Sequence, residues 1–433
     1  MLSIYTQKQK MLIWIIFVFV YSLVFWRMHV NDIEKPNALR LMERGSGHIE
    51  KYVYNAAKYF YNYGFANTSG LPVYSNEGEK PTKVSIHVPS LPDILAGVSL
   101  TIFNSTNPLI LRILPVILSI FLFFFIYFFF GQLLGDPNTA FLSSSIIVLS
   151  AYFIGEADGI YYGLYNEVIK FTFCYLLYVY YFKEKKPKYI MGAFILFFII
   201  ANISYDAMLM MAIITVGFSW ISDRKIFSWQ VFLLALAPTL GILLHLYQNS
   251  LYLGSLEAAI NDFIQITGKR AAGVGAVESK QVNFIKVAKY FFYIMPNRIE
   301  RFFLIPGWAL IIFSYLGLRK LKTENIQLFQ IAIVLLLSIF PWNILMFQYN
   351  SVHVFHTRNI ALFYGLIIGF GIIEYIKVLK IEWDISLLKK TYHSVFVGYV
   401  GVIILTQTIL TLYLRYGFFY PWADNLALSL GIK

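Results

Sequence analysis

Residues 109–130 read LILRILPVILSIFLFFFIYFFF, a run in which nearly every side chain is apolar. A helix rises 1.5 Å per residue, so about 20 apolar residues match the roughly 30 Å core of a bilayer. Backbone polar groups inside hydrocarbon must pair within their own segment, which makes such a run a transmembrane helix. Apolar runs of this kind recur from residue 11 to residue 414. Together these runs predict that the chain spans the membrane several times.

Composition supports the same class. Of the 433 residues, 58% are hydrophobic and only 13% are charged, whereas soluble domains carry about 25% charged residues. The net charge of +12 comes from Lys and Arg in short loops between the runs, which is a topology signal and not a nucleic-acid footprint. The single cysteine, Cys174, excludes an internal disulfide. We therefore predict an all-α, polytopic integral membrane protein with no nucleic-acid partner.

The apolar runs predict a single membrane domain over residues 1–433 with about eleven spans. These spans are 11–27, 109–130, 139–155, 166–182, 189–204, 206–221, 227–247, 302–318, 326–346, 359–377 and 394–414. The basic loops, such as 183–188 and 319–325, all fall on one side, which the positive-inside rule assigns to the cytoplasm. We expect a cytoplasmic N-terminus, with the C-terminus and both long loops, 28–108 and 248–301, on the extracytoplasmic side.

The first long loop has helical periodicity of its own. Ser46 is a helix-capping residue, and Gly64 is a typical helix terminator. Between them an apolar stripe recurs at helical spacing, formed by Ile49, Val53, Ala56, Ala57 and Phe60. This pattern predicts a helix that lies in the membrane interface with its apolar face toward the lipid.

The order of these features resembles the GT-C glycosyltransferases, in particular the protein O-mannosyltransferases and aminoarabinose transferases. That family has a first span followed by an external loop with an acid, a Tyr, a small residue and a Gly at set spacing; the matching residues are Glu50, Tyr54, Ala57 and Gly64. Residues 87–92, HVPSLP, resemble the family's Pro-rich entry to the second span. Residues 353–358, HVFHTR, resemble its late external loop with His and Arg.

The resemblance implies transfer of a sugar from a polyprenyl-phosphate carrier to an extracytoplasmic acceptor, which could be a protein, a lipid or a glycan. It further implies an inverting single displacement, and membrane lipid around the donor. A carboxylate must take the acceptor's proton, and we favour Glu50. The family's acid is usually an Asp close to the first span, so Asp32 and Glu34 remain alternatives.

Cationic groups must stabilise the leaving phosphate. The sequence offers His353, His356 and Arg358 within six residues at the outer edge of a span. Snorkelling side chains that anchor a helix end are the structural alternative. His353 and His356 lack a third nearby ligand, so we predict no zinc site there.

Glu156 and Asp158 lie in a short external loop where GT-C enzymes often place a second acid. They could orient the acceptor or hold a divalent cation, and ordinary loop charge is the alternative explanation. His87 is a further candidate for acceptor contact. Glu167 and Lys170, at i and i+3 within a span, predict a structural ion pair.

Two other functions fit a protein of this class. A polysaccharide polymerase of the O-antigen type also has ten to twelve spans and long external loops, but its long loops tend to lie in the second half of the chain. A transporter or flippase predicts inverted repeats with helices broken by Gly or Pro at corresponding places. Pro115, Pro238 and Pro306 are not paired in that way.

Overall fold

The computed structural model describes residues 2–30, 46–272, 289–303, 305, 307–346 and 355–382. This part of the chain is helical apart from a single β-hairpin, which confirms the all-α class. Asp32, Glu34, His353 and the predicted span 394–414 lie outside the described residues.

A small subdomain follows the first helix, α1 (Gln7–Val30). Its elements are α2 (Ser46–Tyr63), a 3₁₀ turn (Ala66–Thr68), β1 (Val73–Glu77), β2 (Lys80–Val84) and α3 (Leu91–Phe103). The strands pair antiparallel. Gly64 follows α2 with φ +80°, and its N–H bonds to the carbonyl of Phe60, which is the helix end that the sequence predicts.

The bundle consists of the helices that follow. They are α4 (Pro108–Leu111), α5 (Ile113–Leu134), α6 (Pro137–Val148), α7 (Ala151–Ile154), α8 (Tyr162–Phe182), α9 (Pro187–Ala201), α10 (Tyr205–Asp223), α11 (Trp229–Leu253), α12 (Leu256–Ala272), α13 (Met295–Phe303), α14 (Gly307–Glu324), α15 (Ile326–Leu337), α16 (Phe340–Leu345) and α17 (Ala361–Glu382). A π-helical turn (Tyr290–Ile294) precedes α13, and a 3₁₀ helix (Phe355–Ile360) precedes α17.

Ten of the eleven predicted spans fall on these helices. Within the described ranges, six helices are long and apolar enough to cross a membrane. They are Gln7–Trp26, Pro108–Leu134, Tyr205–Asp223, Trp229–Leu253, Ile326–Leu345 and Arg358–Lys377. The protein is therefore an integral membrane protein.

Close packing against α14 fixes α17, and the 3₁₀ helix just before α17 carries the candidate residue Arg358. A Cβ added to Gly371 would clash with the backbone oxygen of Phe313, and one added to Gly317 would clash with that of Ile367. Small residues at such positions let two membrane helices approach backbone to backbone. The contact holds the 3₁₀ helix before α17 at a defined place.

The apolar stripe of α2 is used differently from our expectation. Val53, Ala56, Ala57 and Phe60 are buried against the protein, chiefly against α3, and not turned toward lipid. The fit is close, because a Cβ on Gly97 of α3 would lie 2.8 Å from the Cβ of Phe60. α2 therefore rests on the protein, and this orientation turns Glu50 inward.

Candidate functional site

A tight turn after α7 carries two of the predicted acids. The N–H of Gly159 bonds to the carbonyl oxygen of Glu156 at 2.8 Å, which closes the turn. Glu156 is 4% exposed and Asp158 is 0% exposed. Because both acids are buried, they are not solvated loop charges. Buried carboxylates need partners. Each of them contacts a different arginine.

Asp158 pairs with Arg112, which is itself fully buried. Nη1 of Arg112 lies 2.7 Å from Oδ2 of Asp158 and 2.9 Å from its backbone oxygen. Arg112 stands at the junction of α4 and α5. Asn107 caps α4, because its side-chain oxygen accepts a hydrogen bond from the N–H of Leu109. This cap fixes the short helix and places Arg112 next to the turn.

Glu50 of α2 pairs with the same arginine. Its Oε2 lies 3.0 Å from Nη2 of Arg112, and its Oε1 lies 3.4 Å from Nη1. Tyr54, one turn further along α2, donates a hydrogen bond to the carbonyl of Thr106 at 3.0 Å. The helix is thereby tied to the segment just before α4, which keeps Glu50 opposite Arg112.

Glu156 pairs with Arg358, the cation that precedes α17. Nη2 of Arg358 contacts Oε1 of Glu156, and the hydroxyl of Tyr161 donates to the same oxygen. The guanidinium also lies 5.6 Å from the ring centre of Phe302, a cation–π distance. A Cβ on Gly163 would clash with Oε2 of Glu156 and would lie 2.8 Å from Nη1 of Arg358. The pair is packed directly on the backbone of α8.

These contacts form one unit, which we call the acid–arginine cluster: Glu50, Arg112, Glu156, Asp158 and Arg358. Glu156 and Asp158 are two residues apart, so the two ion-pair groups share one turn. Three carboxylates and two guanidiniums give the cluster a formal charge of −1. The predicted acid of α2 and the predicted cation Arg358 therefore belong to the same site, although 308 positions separate them in the sequence.

A second buried network lies next to the cluster. Nζ of Lys170 is 2.7 Å from Oε1 of Glu167 and 2.7 Å from Oδ1 of Asn359. Nδ2 of Asn359 reaches Oδ2 of Asp206 at 3.3 Å. The predicted structural pair of Glu167 and Lys170 is confirmed. Because Asn359 follows Arg358, this network also holds the arginine in place.

Asp93 is a buried carboxyl that sequence reasoning missed. It lies in the first turn of α3, whose 13 residues are too few to cross a bilayer. It is 5% exposed, and its Oδ1 has no hydrogen-bond partner within the described ranges. Burial raises the pKa of Asp93 to about 7, although a backbone N–H lowers it in part. Tyr165 of α8 lies close enough to interact electrostatically with Asp93.

His87 lies in a different environment. Its Nδ1 is 3.0 Å from Oδ2 of Asp262 on α12, and both side chains are partly exposed. Asn249 of α11 donates to the carbonyl of the preceding residue, Ile86, at 2.9 Å. These contacts direct His87 toward α11 and α12, and its described contacts include no member of the acid–arginine cluster. Its predicted role at the acceptor stays a prediction.

For His356 the structure describes only the backbone, within the 3₁₀ helix before α17. The phosphate-binding roles of His353 and His356 stay predictions, as do the alternatives Asp32 and Glu34. Arg112 and Tyr161, in contrast, are cluster contacts that we did not predict. The signal for Arg112 was present in the sequence, since a charge in an apolar run is costly and usually has a partner.

A shallow polar cleft of about 370 Å³ lies between α2 and the hairpin. Its walls are formed by Asn55, Lys58, Tyr59, Asn62, Tyr74, Ser75 and Asn76. At 100° per residue, the α2 members of this set lie roughly 80–180° around the helix from Glu50. The cleft is therefore separate from the cluster.

The described acids do not fit a divalent cation as they are placed. No group of three or more His, Cys, Asp or Glu side chains within the described ranges has an arrangement suited to a metal. The oxygens of Glu50 and Asp158 instead point at one guanidinium, which fills the space between them.

No protein-family model matches the chain, and no curated protein matches it in sequence. Among solved structures, the oligosaccharyltransferase of Archaeoglobus fulgidus, in a complex with Zn and sulfate, gives a match with a TM-score of 0.48 and 14% identity. The match covers 83% of this chain and 48% of that one, so this chain spans about half the length of that protein. Neither value is high enough to transfer an activity or a ligand.

Proposed function

We propose that the protein is a membrane glycosyltransferase that moves a sugar from a polyprenyl-phosphate carrier to an acceptor at the extracytoplasmic face. The observation that carries the proposal is the acid–arginine cluster. It joins a candidate base on α2 and a candidate phosphate anchor before α17 through a single turn.

The reaction needs a base and a cation in one place. The acceptor oxygen attacks the anomeric carbon, the bond from that carbon to the phosphate oxygen breaks, and the phosphate leaves with the electron pair. Glu50 receives the proton of the acceptor hydroxyl. Its Oε1 suits this role, because its hydrogen bond to Arg112, at 3.4 Å, is long and weak.

Arg358 binds the departing phosphate in this proposal. A guanidinium has five N–H donors in a fork that matches phosphate geometry. Glu156 and Tyr161 hold this fork in one orientation. Asp158, with Arg112, fixes the position of Glu50 relative to the turn.

The cluster is closed to solvent, since none of its members is more than 5% exposed. Substrates therefore reach it only when a neighbouring segment moves. A closed site suits transfer to a specific acceptor, because it keeps water away from the activated sugar.

The direct test is sugar transfer by the purified full chain in lipid nanodiscs, with a panel of labelled polyprenyl-phosphate sugars and candidate acceptors. Glu50→Gln should lower kcat by about 10²- to 10⁴-fold, because it removes the proton acceptor and keeps the shape. Glu77→Gln is the matched control, since Glu77 is an exposed carboxylate on β1. It should leave kcat unchanged.

The other outcomes of this test bear on the identity of the base and on the reaction itself. Full activity of Glu50→Gln would reject Glu50 as the base and direct the search to Asp32 and Glu34. Arg358→Lys should lower kcat more than it raises KM for the donor, because the charge on the phosphate develops in the transition state. Absence of transfer from every donor would contradict the proposal and favour a polymerase or a transporter.

The proposal also places the cluster outside the cytoplasm. Asn76, on the hairpin, and Lys186, in the basic loop after α8, lie on opposite sides in this topology. Cys174 is buried, so the natural chain should resist a membrane-impermeant maleimide. Asn76→Cys should react in intact cells, and Lys186→Cys only after permeabilisation; the reverse pattern would invert the topology.

A further inference from the structure

Arg112 and Asp158 are the two fully buried side chains of the cluster, and Arg112 is the cation of the two. It has no solvent exposure, and it contacts Glu50 of α2 on one side and Asp158 of the turn on the other. The three residues come from different elements, with sequence separations of 62 and 46. A contact that joins distant elements in this way depends on the tertiary fold and is not a product of local helix geometry.

The burial makes the charge of Arg112 indispensable to its neighbours. Two carboxylates in a low-dielectric environment repel each other and need a counter-charge. Arg112 supplies it through three hydrogen bonds to their side chains and one to the backbone oxygen of Asp158. Without the guanidinium, Glu50 and Asp158 would face the same space and would lose the counter-charge that they share.

Such a space is what a divalent cation requires. Mg²⁺, Mn²⁺ and Ca²⁺ take carboxylate oxygens as ligands at roughly 2.0–2.6 Å. Here the nearest oxygens lie 2.7 and 3.0 Å from the nitrogens of Arg112. The guanidinium therefore occupies the position between the acids and supplies one positive charge there, where a divalent ion would supply two.

We propose that Arg112 is a resident cation that takes the place of a divalent metal ion, so that the protein keeps Glu50 and Asp158 in position without a metal. The metal independence of catalysis rests on the proposed function. The exclusion of a metal from the pair of acids does not. Arg112 acts through Glu50 and is a positioning residue.

The first experiment measures Mn²⁺ binding by electron paramagnetic resonance on the full chain, after purification with a chelator. The natural protein should bind no Mn²⁺ at micromolar concentrations. Arg112→Met removes the charge and keeps much of the side-chain volume, and it should create a site for about one Mn²⁺ per chain. Addition of Glu50→Gln to that variant should weaken this binding at least about tenfold, because a ligand is lost.

Lys185→Met is the matched control. Lys185 forms an ion pair with Asp223 at 2.6 Å, but its side chain is 59% exposed. Removal of a solvated cation leaves a carboxylate that water can hydrate, so this variant should gain no Mn²⁺ site. A gain that is specific to Arg112→Met is a signature that a merely structural role would not produce.

The second experiment measures transfer in a chelator. Activity of the natural protein should be insensitive to the chelator and should not rise with added Mn²⁺ or Mg²⁺. Stoichiometric Mn²⁺ binding by the natural protein, or loss of transfer in the chelator with recovery on Mn²⁺, would overturn the proposal. So would a folded Arg112→Met variant that binds no Mn²⁺.

The two proposals fail separately. If no donor gives transfer, the glycosyltransferase proposal is contradicted, whereas the Mn²⁺ titrations still decide the role of Arg112. If Arg112→Met does not fold, the Mn²⁺ titration of the natural protein tests whether the acids exclude a metal. Arg112→Ala is then the second variant that removes the guanidinium from between them.

Discussion

An ion pair between a carboxylate and a basic side chain lies at each end of α8, but the two pairs are in opposite environments. Near its first turn lie Glu156 and Arg358, buried and joined across 202 positions of sequence. Just beyond its last residue, Lys185 meets Asp223 at 2.6 Å in an ion pair whose lysine side chain is 59% exposed. The helix has 21 residues, about 32 Å, so the two pairs lie roughly one bilayer apart.

The comparison teaches that an ion pair by itself is not informative about function. An exposed pair contributes about 0–1 kcal/mol, because water already solvates both groups. A buried pair must offset a desolvation cost of several kcal/mol, and removal of one partner leaves a buried charge without its counter-charge. Burial distinguishes the acid–arginine cluster, and the Glu167–Lys170 pair beside it, from the exposed pair of Lys185 and Asp223.

The largest expected effect on the free energy of unfolding comes from a change in the buried acid–arginine cluster. Arg112→Met should lower the free energy of unfolding by about 3–5 kcal/mol, because it strands two buried carboxylates. The change is measured by thermal unfolding in detergent, with Glu50→Gln combined with Arg112→Met as a second variant. If neutralising Glu50 does not recover part of the loss, charge stranding is not its cause.

Asp93 gives the next effect, and it depends on pH. Its folded-state pKa of about 7 lies above its ordinary value of 3.8, so the folded protein holds a proton that the unfolded chain has released. This stabilisation is present below about pH 4 and is lost as pH rises through 7. At about 1.36 kcal/mol per pH unit, the interval corresponds to up to about 4 kcal/mol.

Asp93→Asn keeps a neutral side chain at every pH and should remove this dependence. The thermal midpoint of the natural protein should fall from pH 4 to pH 8 relative to that of the variant, which should be the more stable protein at pH 8. Parallel profiles for the two proteins would show that Asp93 does not titrate in this range.

A smaller, steric effect tests how closely the cluster is packed. Gly163→Ala places a methyl group against Glu156 and Arg358 and should cost about 1–3 kcal/mol, with reduced transfer. Gly192→Ala in α9 is the control, because its Cβ would meet the flexible end of Leu176 at 3.0 Å. Alanine favours a helix over glycine by up to about 1 kcal/mol, so the control should be neutral or slightly stabilising. Equal losses of unfolding free energy in the two variants would show that packing at the cluster is no closer than elsewhere.

The smallest effect belongs to the exposed pair. Lys185→Met should change the free energy of unfolding by no more than about 1 kcal/mol, and high salt should abolish the difference, because exposed charges are screened. A loss comparable with that of Arg112→Met, measured in the same detergent, would break the comparison between the two ends of α8.

The helices were predictable because each is fixed by local pattern. The run 109–130 and the others like it specify their own helices, since a backbone in hydrocarbon has no other way to satisfy its hydrogen bonds. Ser46 and Gly64 bound α2 for equally local reasons. Glu156 and Arg358 were recognisable as candidates because their residue types suit the chemistry.

The partners of those residues were not predictable. The stripe of α2 is equally consistent with lipid and with protein, because both are apolar. Only the position of α3 decides between them, and that decision turns Glu50 from an exposed face to a buried one. Asp93 was overlooked for a related reason, since its burial depends on elements that pack around α3 and not on its neighbours in sequence.

The sequence by itself determined that this chain crosses a membrane many times, because apolar run length is a local property that a bilayer reads directly. Only the tertiary structure decided that Arg112 lies between Glu50 and Asp158, and that the turn at 156–158 joins this group to Arg358. The reason is physical: buried charges tolerate only specific partners, and those partners come from helices whose relative placement no local pattern encodes.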